Sequence, residues 1–116
     1  MSKQLVRRKL SEFVKSDVSI LEMPTKLFHP YRILILKILY SFGYADFRQL
    51  KHDLRITDGN LASHLRALEN EGYIEVGKQI VNRKPRTTYI LTKKGFRAFQ
   101  QLRTGILRMM ESDIER

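Results

Sequence analysis

The chain has 116 residues, no cysteine, and 22 Lys plus Arg against 12 Asp plus Glu, a formal net charge of +10. That length is one domain, able to bury roughly 60–70% of its unfolded surface without staples, and the missing thiols exclude disulfides, thiolate zinc sites, iron–sulfur clusters and a cysteine nucleophile together. A composition 42% apolar and 29% charged is globular rather than disordered, and the basic excess favours a polyanionic partner, nucleic acid ahead of an anionic membrane surface.

Residues 4–22 place Leu5, Val6, Leu10, Phe13, Val14, Val18, Ile20 and Leu21 mostly three and four apart, with charged residues between, which predicts an amphipathic N-terminal helix. The start is basic but lacks the apolar region and small-residue cleavage site of a secretory signal, so a cytoplasmic, nucleoid-associated protein is expected. After a candidate linker at Glu22-Met23-Pro24-Thr25, His29-Pro30 opens a helix that Gly43 stops. Its apolar run, Ile33 to Tyr44, is interrupted by Lys37 and falls far short of the ~20 residues of a membrane span. It reads as the central core helix, and no membrane partner is expected. Asp46 with Gln49 forms a capping-box pattern ahead of Phe47, Leu50 and Leu54. Thr57 or Asp58 can cap a further helix, 58–71, with Leu61, Leu65 and Leu68 on its buried face and Gly72 at its left-handed end.

The period then changes. Tyr73 to Val81 and Thr87 to Thr92 are rich in β-branched and aromatic residues and flank Asn82-Arg83-Lys84-Pro85-Arg86, which predicts a hairpin with a basic, proline-stiffened tip. A last helix, 93–116, carries Phe96, Phe99, Leu102, Ile106, Met110 and Ile114 on one side. Gly95 and Gly105 each lower its propensity by ~1 kcal/mol relative to alanine, so packing must hold it. The fold class expected is mainly α with a small β-hairpin (α+β): a winged helix-turn-helix core, 27–92, inside a single domain, 1–116, with added N-terminal and C-terminal helices.

Two short helices joined by about three residues, followed by a cationic hairpin, is the order of a helix-turn-helix and its wing. With its leucines buried, helix 58–71 leaves Asp58, Gly59, Asn60, Ser63, His64, Arg66 and Ala67 on or beside the opposite face. Asn pairs with adenine, Arg with guanine, and Ser or His serves a base edge or a phosphate. In the wing, 79–87 with Lys78 beside it, the candidates are Lys78, Asn82, Arg83, Lys84, Arg86 and Thr87, where guanidinium groups suit phosphates or a narrow minor groove.

The stretches His29-Pro30-x-Arg32-x-x-Ile35-Leu36, Leu61-Ala62-Ser63-His64-Leu65-Arg66-Ala67-Leu68-Glu69-x-x-Gly72-Tyr73-Ile74 and Thr87-x-Tyr89-x-Leu91-Thr92-x-x-Gly95 resemble the winged helix-turn-helix regulators of the MarR and ArsR type. The likeness runs through residues 27–100 and is specific to the superfamily, not within it. It implies a dimeric, prokaryotic transcription factor whose third core helix enters the major groove while the wing meets backbone or minor groove, with Thr57, Asp58, Asn60, Ser63 and His64 facing DNA. Two departures stand out. Gly59 occupies a position where such proteins often carry Ser or Thr, so side-chain readout there is lost although the backbone can approach a phosphate. Metal-sensing members use cysteine or paired His and carboxylate ligands, whereas here His29, His52 and His64 lie on three separate elements without i,i+4 pairing, so neither a metal nor a cofactor is expected.

No nucleotide-binding, metalloprotease or nucleophile-elbow motif is present, and Ser63, His64 and Asp58 on one helix cannot face one another as a triad, so the chain is not expected to be an enzyme. Leu5, Leu10, Phe13, Val14 and Val18 at one end, with Phe99, Leu102, Ile106, Met110 and Ile114 at the other, exceed what a small core can cover. They are expected to build a homodimer on a pseudo-palindromic double-stranded DNA site, the alternative being that the terminal helices cover each other within one chain. The reading is a sequence-specific regulator. The alternatives are a non-specific architectural DNA coater, or a winged helix used for protein or RNA contacts. Nothing in the sequence names an effector. The charge itself is local: residues 76–110 hold nine basic and no acidic residues, +9, and the other 81 residues net +1.

Overall fold

The structure is a computed structural model that describes residues 18–111. The expected interface residues Leu5, Leu10, Phe13, Val14 and Ile114 lie outside the described residues, and Val18 is described in its backbone only. Of the expected N-terminal helix, the described end is a 3-10 turn, Val18–Glu22, rather than α-helix. The chain divides into two compact units: Thr25–Phe99, and a terminal unit whose described parts are residues 18–24 and 100–111.

In the larger unit a 3-10 turn, Thr25–Leu27, leads into helix α1, Pro30–Phe42. His29 caps it by accepting the Tyr31 N–H on Nδ1, and Pro30 stands in the first turn, where a missing N–H costs no helical bond. Gly43 ends it at φ 87, its N–H returning to the Leu39 carbonyl. Strand β1 is the two residues Ala45–Asp46, which the sequence patterning does not single out. Helix α2, Phe47–Leu54, begins where the Asp46 carboxylate accepts the Gln49 N–H at 2.7 Å. Helix α3, Asp58–Asn70, begins where Thr57 Oγ1 accepts the Asn60 N–H. Between them the chain turns through Arg55 at φ 51 while Ile56 drops into the core.

The end of α3 is a Schellman motif: Tyr73 N–H bonds the Leu68 carbonyl, Gly72 N–H bonds the Glu69 carbonyl, and Gly72 sits at φ 79. Strands β2, Ile74–Val81, and β3, Lys84–Leu91, form an antiparallel hairpin, and β1 adds to β3, giving the order β1-β3-β2. Ala45 pairs with Tyr89 and Asp46 with Thr88, so β1 joins the helix-turn-helix to the wing. Helix α4, Lys93–Glu111, follows. Ile35, Leu36, Leu39, Leu50, Leu61, Leu65, Leu68 and Ile74 make one continuous apolar core in which each side chain stabilises the fold by roughly 1.5–3 kcal/mol.

The wing is tighter than the sequence patterning predicts. Val81 pairs directly with Lys84, so the turn is two residues, Asn82-Arg83, both at positive φ (52 and 64) as a type I′ turn demands. Pro85 therefore belongs to β3, opposite Ile80, and not to the tip. Alternation from the closing pair turns its nitrogen away from β2, and β1 does not extend that far, so the missing N–H breaks no ladder bond.

The start of α4 is bonded to the end of α3. Thr92 Oγ1 accepts the Gly95 N–H at 3.0 Å and donates to the Gly72 carbonyl at 2.6 Å. Lys94 Nζ donates to the Glu71 carbonyl at 2.6 Å and lies 4.9 Å over the Tyr73 ring. In the terminal unit, Leu102 and Gly105 are buried, and Gly105 faces Ile20 and Met23.

Candidate nucleic-acid interface

The three leucines of α3 are 0–3% exposed, which orients the rest of the helix. Gly59, Asn60, Ser63 and Arg66 are exposed, and of the sequence-derived candidates on this helix only Asn60, Ser63 and Arg66 keep side chains without an intramolecular hydrogen bond among the described residues. The others are engaged. Thr57 Oγ1 serves the cap. The Asp58 carboxylate is 2.8 Å from Lys51 Nζ on α2, an exposed pair worth about 0–1 kcal/mol that also sets negative charge at the positive end of α3.

His64 is half-buried and held from α1. Arg32 Nε donates to His64 Nδ1 at 3.0 Å, and Arg32 Nη1 donates to the Lys26 carbonyl at 2.9 Å. The His29 ring lies 4.2 Å from the His64 ring, centroid to centroid, and the Tyr31 ring 5.7 Å. Burial, then the neighbouring His29 and Arg32, hold the His64 pKa below its ordinary 6.5. Lys26 Nζ meanwhile bonds the Glu71 carboxylate at 2.6 Å at the far end of α3, which holds the Glu71 pKa down. Residues 26–32 thus touch α3 at both its middle and its end.

Spacing placed the three histidines on separate elements, and so they are, but the fold brings two of them into contact. Both Nδ1 atoms accept hydrogen bonds, from Tyr31 N–H and from Arg32. Among the described residues there is no group of three or more His, Cys, Asp or Glu able to hold a metal ion.

In the wing, Lys78, Asn82, Arg83 and Lys84 are exposed, and Arg86 and Thr87 are half-buried. The register puts Lys84 and Arg86 on one face of the hairpin and Lys78 and Thr87 on the other, with Arg83 at the turn. Ile80, 79% exposed, stands beside Pro85 on the Lys78 face. A crevice of about 340 Å³ lies between the start of α2 and β3, lined in part by Arg48 and Arg86. Arg48, Lys51, Arg55 and Arg32 are cations of this unit that the sequence reading did not select. Arg48, Lys51 and Arg55 belong to the helix-turn-helix and adjoin its ends, a placement that sequence order alone would have allowed.

The apolar residues expected at a dimer interface divide. Phe99 is 5% exposed because it packs 4.9 Å from the Tyr40 ring in the core, and Leu102 is 1% exposed, so neither has area left for a partner. Both are already covered within the chain. Ile106 is half-buried and Met110 is 73% exposed, and Leu21, Leu107 and Met109 are further exposed apolar residues of the terminal unit. Among the described residues no helix is long and apolar enough to cross a membrane.

The family described as "Winged helix DNA-binding domain" matches residues 31–110. An uncharacterized protein of Methanocaldococcus jannaschii is 37% identical over 81 residues, 70% of this chain and 88% of that protein. A transcriptional regulator homologue protein from Pyrococcus horikoshii OT3 superposes with a TM-score of 0.69 at 30% identity, covering 90% of this chain and 95% of that one. The transcriptional repressor BigR from Xylella fastidiosa shares the fold, with a TM-score of 0.57 at 23% identity over 92% of this chain and 98% of its own. A helix-turn-helix bonded through β1 to a cationic two-stranded wing, matched over most of its length, makes this chain a member of the winged helix DNA-binding domain family, whose business is binding DNA rather than catalysis.

Proposed function

We propose that the chain is a sequence-specific regulator that binds double-stranded DNA as a homodimer, with α3 in the major groove and the wing on the backbone or in the minor groove. The observation that carries this reading is the exposed face of α3. Asn60, Ser63 and Arg66 are short or forked hydrogen-bonding side chains with a glycine beside them, whereas a merely solvated helix is rich in Glu and Lys. Asn60, Ser63, His64 and Arg66 read bases or adjacent phosphates, with Thr57, Asp58 and Gly59 at the same helix start. Lys78, Asn82, Arg83, Lys84, Arg86 and Thr87 anchor the wing. The +9 confined to residues 76–110 supports a directed electrostatic footprint.

Exposed Leu21, Leu107, Met109 and Met110 support a second copy as the partner of the terminal unit. Such a pairing sets two recognition helices about one DNA turn apart, ~34 Å, on a pseudo-palindromic site.

Selection of duplexes from a random pool, followed by a salt titration on the winner, tests the reading. A regulator prefers its site over random DNA by at least ~10³ and loses affinity steeply with salt. Equal affinity for selected and random duplexes would make the protein an architectural coater. A salt-insensitive complex would remove the wing from the interface.

A further inference from the structure

We infer that Arg32, on α1 and outside the recognition helix, is a positioning residue: it fixes His64 as the Nε2–H tautomer and so makes His64 a hydrogen-bond donor to DNA. The inference rests on the reading that α3 enters the groove.

A guanidinium has five N–H donors and no acceptor. The bond from Arg32 Nε to His64 Nδ1, 3.0 Å long, therefore requires an unprotonated Nδ1. A neutral imidazole with a bare Nδ1 carries its proton on Nε2. Arg32 is itself held in place, because its Nη1 donates to the Lys26 carbonyl at 2.9 Å. Lys26 is in turn bonded to Glu71 at the end of α3, so the donor and the ring it orients are tied to the same helix.

The rings beside His64 restrict it further. His29, 4.2 Å away, has its own Nδ1 occupied by the Tyr31 N–H, and Tyr31 lies 5.7 Å from His64. The groups facing His64 are thus Tyr31 and Arg32 from α1 and its capping residue His29, none of them acidic. Protonating His64 would set a second cation against Arg32, in keeping with its lowered pKa. Nε2 of His64 has no hydrogen-bond partner among the described residues, although the ring is half-buried. An unpaired donor on a half-buried ring, at the border of the exposed face of α3, is matched by a hydrogen-bond acceptor on the partner.

On DNA that acceptor is either guanine N7 or O6, adenine N7 or thymine O4 on a base edge, or a phosphate oxygen; the cytosine amino group offers no acceptor. A base contact makes His64 specificity-determining, and a phosphate contact makes it a register-setting anchor.

The test uses the full chain, its selected duplex and random duplex. Nitrogen-15 correlation spectra of the imidazoles, with His64 assigned by its loss in H64Q, report the tautomer directly. The parent protein shows Nε2–H at His64, and a dominant Nδ1–H form there overturns the inference without any further substitution.

Arg32→Met removes the donor at similar length. It is expected to mix the tautomers and to weaken binding of the selected duplex about tenfold, the effect of losing one well-placed hydrogen bond. His64→Gln places an amide N–H near the position of Nε2 and is expected to bind more weakly than the parent but more tightly than His64→Ala. In a His64→Ala background no ring and no donor remain to be fixed, so adding Arg32→Met should cost less than about twofold. An Arg32 that only supported the fold would lose the same factor in both backgrounds, which would overturn the inference. A loss confined to the selected duplex identifies a base acceptor, and an equal loss on random duplex identifies a phosphate. Arg32→Met binding like the parent removes the inference and leaves the DNA reading intact. Failure of the parent chain to bind any duplex removes both.

Discussion

Alanine at position 95 sets helix propensity against packing. Propensity alone favours alanine over glycine by about 1 kcal/mol inside a helix. A Cβ built on Gly95, however, would lie 1.9 Å from the Tyr73 carbonyl oxygen, 2.9 Å from its carbon and 3.2 Å from Leu91 Cδ2. A carbon approaches a carbonyl oxygen to about 3.3 Å, so α4 and the Tyr73 peptide must separate by about 1.4 Å. That oxygen accepts the Thr92 N–H at 3.1 Å, and Thr92 Oγ1 bonds both Gly95 N–H and the Gly72 carbonyl. Two or three hydrogen bonds worth about 1 kcal/mol each are strained or lost, with about 1–3 kcal/mol of overpacking added. After the propensity gain is subtracted, Gly95→Ala destabilises by about 2–5 kcal/mol, which for a domain near 100 residues lowers Tm by roughly 10–30 °C. Urea and thermal unfolding followed by circular dichroism measure it. A variant as stable as the parent, or more stable as propensity alone predicts, would refute the packing account.

Arg83→Gly should raise stability by about 0.5–1 kcal/mol by relieving φ 64 at the turn, yet weaken duplex binding and reduce its salt dependence; unfolding and binding titrations on one preparation separate the two effects. Asn60→Ala should lose preference for the selected site more than affinity for random DNA, whereas Arg86→Ala should lower both together, read by competition binding. Stability should decline as pH falls below about 6.5. The His64 pKa is lower folded than unfolded, so the unfolded chain binds more protons across that window, and the loss ends once pH passes the folded value. Urea midpoints against pH show this slope, and His64→Gln should flatten it while leaving a second loss at lower pH, where the depressed Glu71 is protonated away from Lys26. Met110→Asp should shift a dimer towards monomer by ultracentrifugation without changing Tm of the monomer by more than a few degrees, because Met110 is 73% exposed.

What was legible in the sequence is what local chemistry specifies. Asp46, Thr57, Gly43 and Gly72 mark helix ends because caps and left-handed stops act over three or four residues, and all four act as expected. Longer-range facts were hidden. The apolar stripe of α4 announces that Phe99 is buried but not by what; Tyr40 of α1 covers it, so no second chain is needed there. Pro85 reads as a tip residue because proline is rare inside sheets, and only the register of the hairpin, with β1 too short to pair there, makes the strand position permissible. His29 and His64 meet only through packing of α1 on α3, and no helical spacing connects residues 35 positions apart. Gly95 looked like a propensity defect, whereas its missing Cβ is what lets α4 approach the Tyr73 carbonyl.

The positions with left-handed backbone extend this point towards function. Among the described residues the non-glycine positive-φ positions are Arg55, Asn82 and Arg83. Asn tolerates that conformation through its short polar side chain, but arginine does so at a cost of about 1–2 kcal/mol that glycine would not incur. Both arginines are exposed, so packing does not compensate for that cost. One stands in the turn that leads into α3, proposed to enter the major groove, and the other at the tip of the wing, proposed to meet the backbone or the minor groove. At Gly43 and Gly72, helix ends with the same backbone sign, the chain uses glycine. Uncompensated strain at exposed cationic turns is the pattern expected where charge is kept for a partner at the expense of stability. The two turns therefore support, independently of the α3 side chains, the proposal that the helix-turn-helix and the wing carry the DNA contacts.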